Sequence, residues 1–242
     1  MIMAHNILSD SAAISANTQD DNFPVANVKD KFLSVRYKPT AVTGQYVDFD
    51  FGSDVTIDCL GISSNLTSSA TITVQHDDNS SFTSPTTINI DETGESILFE
   101  KFTSGTDRYW RVNFADATLS EIAIGRIALA ATYTWPDFRI RPVVDYLTTA
   151  QSRFSNSGQS HGVSGYTYRV YDLTFANPSK TQREEIEAIF ASVKNYTPVF
   201  VDLFDGNNEY PPDYVVINQD SLSFTVQPYG GYSFNMILRS VN

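Results

Sequence analysis

Cysteine, histidine and basic residues are all scarce in this sequence of 242 residues, and each shortage argues against a class of function. A single cysteine, Cys59, excludes an internal disulfide framework and any metal knuckle built from several cysteines. Sixteen Lys and Arg against 28 Asp and Glu give a net charge of −12. This balance disfavours a nucleic-acid groove, because phosphate binding needs clustered cations, and it disfavours docking on an anionic membrane.

The sequence also lacks a long apolar run and an export signal at its start. No stretch approaches the roughly 18–20 apolar residues that a membrane-spanning helix needs. The opening residues have neither the basic start nor the apolar centre of a signal peptide. We therefore expect a protein made in a cytoplasm, with no membrane partner. A secreted adhesion domain without its leader is the alternative.

Signals for catalysis and metal binding are equally sparse. The three histidines, His5, His76 and His161, lie far apart and lack the spacing of paired metal ligands. Residues 158–162 fit the pattern G-x-S-x-G, but a nucleophile elbow needs a strand before its serine and a helix after it. Ser160 instead precedes a predicted strand, and no histidine follows residue 161. We expect no enzyme activity, no metal and no cofactor.

What the sequence does contain is β-strand patterning rich in aromatic residues, with 16 Phe and 13 Tyr. Apolar residues alternate with polar ones in several short runs that are separated by turn residues, which predicts a β-sandwich or jelly roll. The two clearest runs place Val47, Phe49, Phe51 and Trp110, Val112, Phe114 on one face. No long helical pattern occurs before residue 133.

The second part, from residue 133, combines strands with one helix. Strands are predicted near 143–147, at 166–175 and at 198–204, and two further strand regions follow them. Between the second and third lies a helix near 181–194, with Ser179 or Thr181 as its N-cap and an apolar stripe at helical spacing. We therefore divide the chain into domains 1–132 and 133–242.

A polar, Gly/Ser-rich segment at 148–165 interrupts this pattern. Unstructured loops of this length are uncommon in compact domains and are usually functional or mobile. Two interpretations stay open: a disordered hairpin tip, or an arm that orders against a neighbouring subunit.

Three motifs in the first part follow the order of a known family: Tyr-Val-Asp-Phe-Asp-Phe-Gly at 46–52, Arg-Tyr-Trp-Arg-Val at 108–112 and Ile-Ala-Ile-Gly-Arg-Ile at 122–127. Residues 4–131 thereby resemble the galactose-binding-like (discoidin-type) jelly roll. The family's paired terminal cysteines are missing, and Arg36-Tyr37 stands at its opening tryptophan position. The resemblance implies a galactose-binding-like β-sandwich at 1–132, without securing sugar binding.

The second part resembles, in architecture alone, the ring-forming β-sandwich of phage tail-tube and distal-tail proteins. The implied fold class is mainly β: an N-terminal galactose-binding-like jelly roll plus a C-terminal tail-tube-like β-sandwich with one packed α-helix. The implied function is a structural virion protein of a long-tailed phage, a distal-tail-like hub subunit assembled in the host cytoplasm. Its expected partners are further copies in a hexameric ring, the tail tube, and other tail-tip or fibre proteins.

Each functional hypothesis carries its own candidate residues. For the ring we expect the subunit interface at Arg153, Phe154, His161, Tyr166 and Tyr168. The alternative function is a glycan-binding module or adhesin for a cell-surface polysaccharide, such as a host glycan. Its candidate contacts are Arg36, Tyr37 and Asp78, because exposed aromatic rings can stack on sugars.

Overall fold

The computed structural model describes residues 1–91, 94–136, 143–154, 160–204, 210–226 and 231–241, with the backbone alone at 151–154 and 160–163. The chain forms two compact units. The first contains Met1–Trp135 and Val199–Asp213, and the second contains Pro136–Pro198 and Tyr214–Asn242. Segment 199–213, which we grouped with the second part from sequence, thus packs in the first unit. The domain division at 132/133 stays a prediction.

The first unit is built from antiparallel strands joined by loops and two short 3-10 segments, Leu8–Asp10 and Val25–Lys29. Its strands are β1 (Ile2–Ile7), β2 (Ala13–Ala16), β3 (Gln45–Ser64), β4 (Thr71–Asp77), β5 (Thr86–Ile90), β6 (Ile97–Ala115), β7 (Ile124–Thr134) and β12 (Val199–Asp202). They follow the order β5-β4-β6-β3-β7-β1-β12, and β2 pairs with β3.

The two long strands, β3 and β6, each contribute to both layers of a sandwich. Their pairing shifts register between Asp50 and Val55, where Gly52 has a positive φ of 76°. Before this bulge β3 pairs with β2, and the facing end of β6 pairs with β4. After it, β3 pairs with β7. The core cluster draws side chains from both ends of both strands, such as Phe49, Ile62, Leu98 and Phe114.

The alternation seen in the sequence sets the two faces of the first layer. Val47, Phe49, Trp110, Val112 and Phe114 are buried, as expected. Phe51 is only half-buried, because the bulge that follows Asp50 interrupts the alternation.

In the second unit, the strands are β8 (Val143–Thr148), β9 (Gln151–Phe154), β10 (Ser160–Val163), β11 (Thr167–Ala176), β13 (Asp213–Ile217), β14 (Phe224–Val226) and β15 (Tyr232–Ser240). The order β13-β15-β11-β8 forms its sheet, with β14 paired to β15. Strands β9 and β10 pair as an antiparallel hairpin within the segment at 148–165, so both ends of that segment are ordered backbone.

The helix α1 (Lys180–Val193) begins and ends within one residue of its predicted bounds. Ser179 is its N-cap, and its hydroxyl and the Gln182 side chain form the reciprocal capping box. The apolar stripe buries Ile186, Ile189 and Val193. The predicted fold class is therefore confirmed as mainly β with one packed α-helix among the described residues. The tail-tube-like character of the second part stays a prediction.

Candidate functional site

The structure gives the three candidate glycan contacts very different environments. Arg36 and Asp78 are exposed, each on its own loop. Tyr37 is fully buried: its hydroxyl donates to the Thr18 carbonyl at 2.7 Å and its ring meets Phe114 edge-on. Burial raises the pKa of the Tyr37 phenol. Its ring offers no exposed face to a sugar, so this part of the expectation is corrected to a core role.

Two of the five candidate interface residues can be located with their side chains. Tyr166 is 66% exposed and Tyr168 is half-buried, with 6.1 Å between their ring centroids. The side chains of Arg153, Phe154 and His161 lie outside the described part of the structure. No observation tests the ring interface, which stays a prediction.

A concave site that sequence analysis did not assemble lies on the first unit, on the solvent side of β2, β3 and β6. Its volume is about 310 Å³, at the lower end of ordinary ligand pockets. The strands contribute Ser15, Asp48, Asp50 and Tyr109, and the β4–β5 loop contributes Ser80 and Phe82. We call it the Asp48–Asp50 hollow.

Strand register explains why these side chains meet. Asp48 lies opposite Ser15 of β2 and Arg111 of β6, and Asp50 lies opposite Tyr109. Residues two apart on a strand point to the same face, so both aspartates project outward while the intervening Phe49 fills the core. The hollow thus needs the strands to align at this register.

Each aspartate holds an arginine through two hydrogen bonds. Asp48 accepts from Nε and Nη2 of Arg111 at 2.6 and 2.9 Å. Asp50 accepts from the same atoms of Arg108 at 2.7 and 2.9 Å, and it also accepts from the Gly52 backbone at 2.8 Å. Such bidentate pairs fix geometry as well as charge.

These contacts shift the pKa values of Asp50 and of both arginines. The Arg108 hydrogen bond, with that of the Gly52 N–H, lowers the pKa of Asp50. In return, the hydrogen bonds from Asp50 and Asp48 raise the pKa of Arg108 and Arg111, respectively. The lowered pKa keeps the Asp50 carboxylate ionised through the neutral range, so it remains an acceptor there.

Aromatic rings complete the wall. The Arg111 guanidinium lies 3.9 Å from the ring centroid of Tyr46 and 4.2 Å from that of Phe82. Arg108 lies 4.8 Å from the ring centroid of Tyr109. Cation–π contacts of this kind hold the rings in place beside the carboxylates.

The loop that presents Phe82 is fixed by side-chain caps. Asp77 accepts from the backbone N–H groups of Asn79 and Ser84 at 3.0 and 3.2 Å. Phe82 adopts a φ of +48°, a left-handed conformation that costs a non-glycine residue on the order of 1 kcal/mol. The caps therefore hold a strained turn that keeps the ring against Arg111.

The pKa values of the adjacent carboxylates Asp77 and Asp78 shift in opposite directions. Desolvation would raise the pKa of Asp77, but the backbone hydrogen bonds from Asn79 and Ser84 outweigh it and lower the pKa. The hydrogen bond to Asp77 and the charge of Asp77 raise the pKa of Asp78. Asp78 is thus an exposed carboxyl on the β4–β5 loop, whereas Asp77 holds that loop.

His76 and Ser160 lie on strands of different units, β4 and β10. His76 is buried, stacks on Trp110 and contacts Asp107 with 2.5 Å between Nδ1 and Oδ2. Ser160 begins β10, and Gly158 lies outside the described residues. Among the described residues, no cluster of three His, Cys, Asp or Glu side chains could hold a metal ion, and no helix could span a membrane.

Sequence reasoning missed the pairing that builds the hollow. Asp48 and Asp50 alternate with the apolar Val47 and Phe49, but their partners Arg108 and Arg111 lie about sixty positions later in the chain. The available signal concerned Arg111, which alternates with the apolar Trp110 and Val112 and so falls on the outward face of its strand. Alternation alone would place Arg108, three residues earlier, on the opposite face.

Comparisons with known proteins give a likeness of fold. No family model matches the chain, and no curated protein matches it. The family 32 carbohydrate-binding module of NanJ from C. perfringens, solved in complex with galactose, is similar in structure at 10% identity and a TM-score of 0.45. That match covers 55% of this chain and all of the module.

Two further solved modules are similar over about half of the chain. One is chitosan-binding module 1 of a chitosanase/glucanase from Paenibacillus sp. IK-5, with 20% identity and a TM-score of 0.46, covering 52% of this chain and 100% of the module. The other is the family 32 module of AlyQ in complex with 4,5-unsaturated mannuronic acid, with 24% identity and a TM-score of 0.42. That match covers 48% of this chain and 92% of the module. These neighbours are galactose-binding-like jelly-roll modules, the fold expected for the N-terminal part.

Proposed function

We propose that this protein binds carbohydrate through the Asp48–Asp50 hollow. The observation that carries the proposal is the combination of two oriented carboxylate acceptors with the rings of Phe82 and Tyr109 around one concave surface. Sugars offer hydroxyl donors at their edges and apolar C–H groups on their faces, so they fit acceptors beside aromatic rings. The proposal assigns a binding role without a catalytic step.

The test compares two phenylalanine-to-alanine variants on a glycan array and by titration calorimetry. Phe82→Ala should weaken binding of an array hit by about fivefold, because the aromatic contact contributes roughly 1 kcal/mol. Phe32→Ala is the matched control, because Phe32 is 69% exposed on the loop that carries Arg36. Loss with Phe32→Ala and none with Phe82→Ala would place the site on that loop instead. An array without hits contradicts the proposal.

The tail-tip hub is the second candidate function, and one feature of the second unit favours self-association. Tyr146, Leu147 and Tyr166 are 67%, 44% and 66% exposed and lie on neighbouring strands β8 and β11 or just before β11. Exposed apolar side chains of this kind occur at protein interfaces. Light scattering at high protein concentration tests it: a hexameric mass supports the hub, and a strictly monomeric mass contradicts it.

A further inference from the structure

We propose that the hollow selects uncharged sugars and rejects uronic acids and other anionic glycans. The inference rests on the proposed function and adds a substrate class to it. It follows from how the site distributes its charges: the carboxylates line the hollow, and the two arginines that balance them do not.

The two arginines near the hollow are already engaged by aspartates. A site for an acidic sugar usually offers a guanidinium to the carboxylate, because the fork of donors fits it in two places. Here the Nε–Nη2 edge of Arg108 is already occupied by Asp50, and the same edge of Arg111 is occupied by Asp48. The rings of Tyr46 and Phe82 also lie against Arg111, whose side chain is only 19% exposed.

An anionic ligand in the hollow would meet negative charge. Among the described residues that line the hollow, the charged groups are Asp48 and Asp50, and the lining includes no lysine or arginine. A sugar carboxylate would therefore face like charges while finding no unpaired cation. The net charge of −12 adds a weaker repulsion at longer range, which salt screens over about 10 Å.

A neutral sugar could donate hydrogen bonds to the carboxylates of the hollow. An ionised carboxylate has roughly four acceptor positions. The arginine fills two of them, and on Asp50 the Gly52 N–H fills a third, so each carboxylate keeps at least one position for a ligand. Asp48 and Asp50 stand two residues apart on β3, so their backbones are separated by roughly 7 Å. Hydroxyl groups at different positions of one sugar unit, or on adjacent units, can donate to the two carboxylates.

The experiment offers galacto-, gluco- and manno-configured trisaccharides, each as the neutral sugar and as the uronic acid of the same configuration. By calorimetry, we expect the wild-type protein to bind at least one neutral trisaccharide, and its uronic acid at least about tenfold more weakly. Neutral binding should change little between low and high salt, since no net charge is neutralised.

A gain-of-binding variant tests the cause. Asp50→Asn keeps the shape of the side chain but removes the charge that holds Arg108, so the guanidinium becomes available to a ligand carboxylate. Affinity for the uronic acid should rise on the order of tenfold, as expected for a new charge-assisted hydrogen bond, and the gain should shrink at high salt. A misfolded protein cannot produce this gain.

Asp21→Asn is the matched control, because it makes the same change in net charge at an exposed turn residue that does not line the hollow. It should leave uronic-acid affinity unchanged. Equal binding of neutral and acidic trisaccharides by the wild type, or an equal gain in both variants, overturns the inference and leaves the proposed function standing. Failure of the wild type to bind any of the six overturns the proposed function itself.

Discussion

At the scale of single residues, Asp116 shows how a buried charge stabilises this chain. It is 1% exposed and accepts hydrogen bonds from the backbone and hydroxyl groups of both Thr67 and Thr118, at 2.5 to 3.0 Å. Desolvation would raise its pKa, but the hydrogen bonds from Thr118 and Thr67 outweigh it and lower the pKa to about 2. The carboxylate therefore joins two loops of the first unit.

Replacing this carboxylate should destabilise the protein. Asp116→Asn presents an amide N–H group to donors that need an acceptor, so we expect the free energy of unfolding to fall by about 2 kcal/mol. Urea denaturation measures it. Asp30→Asn is the control, since Asp30 caps one backbone N–H on an exposed turn and an asparagine can replace it there. Equal losses in the two variants would contradict the role of Asp116.

The same residue predicts a pH dependence. The pKa of Asp116 is lower in the folded state than the ordinary value of 3.8, so its contribution is complete above about pH 4 and is lost as the pH falls towards 2. The stability difference between wild type and Asp116→Asn should shrink over this range. Denaturation curves at several acidic pH values measure it, and a constant difference would contradict the assignment.

Residue chemistry was only partly predictable from the sequence. Tyr37 was expected to contact sugar because it is an aromatic residue in a loop region, but a loop residue can turn inward, and here its hydroxyl finds the Thr18 carbonyl. Phe82, in contrast, lines the hollow although the sequence did not point to it. Nothing in its local sequence of serines and threonines indicated that a strained turn would hold its ring against Arg111.

At the scale of elements, the helix was predictable and the long strands were not. Ser179, Gln182 and the apolar stripe are all local signals, so α1 could be placed almost to the residue. The predicted run that contains Trp110, Val112 and Phe114 is only one end of β6, which begins at Ile97 and continues through Gly105. Register between β3 and β6 depends on packing between distant segments, so the ion pairs of the hollow could not be derived from either strand alone.

The end of the helix offers a way to stabilise the protein. Lys194 follows α1 with φ 57° and ψ −163°, a conformation that suits glycine and costs other residues roughly 1–3 kcal/mol. Lys194→Gly should therefore raise the free energy of unfolding by about 1 kcal/mol. Lys180→Gly, at the first position of the helix, should lower it instead. Thermal unfolding followed by circular dichroism measures both, and destabilisation by Lys194→Gly would contradict the strain.

At the scale of the whole molecule, the first unit is discontinuous in sequence. Strand β12 pairs with β1 through Ile2–Asp202, Met3–Val201 and Ala4–Phe200. Phe200 also stacks on Phe99 with 6.4 Å between ring centroids, and its ring fills the space above Gly61, where an added Cβ would lie 2.5 Å away. Residues 1–135 therefore depend on a later segment for part of their packing.

This dependence can be measured with fragments. A fragment of residues 1–135 should unfold several degrees below a version in which a flexible linker joins residues 199–213 in place of 136–198. It should also aggregate more readily, because the edge of β1 and the apolar side chains beneath Phe200 lose their cover. Thermal unfolding and size-exclusion chromatography measure both effects, and identical behaviour of the two fragments would contradict the role of β12.

The discontinuity of the first unit also affects how the chain folds during synthesis. As the chain leaves the ribosome, β1 emerges first, but β12 is not translated until residues 136–198 have been made. In the nascent first unit, the edge of β1 that pairs with β12 therefore stays unpaired while much of the second unit is produced. During that interval the unpaired edge of β1 is the place where a chaperone would bind, or where two nascent chains on one messenger RNA would associate incorrectly.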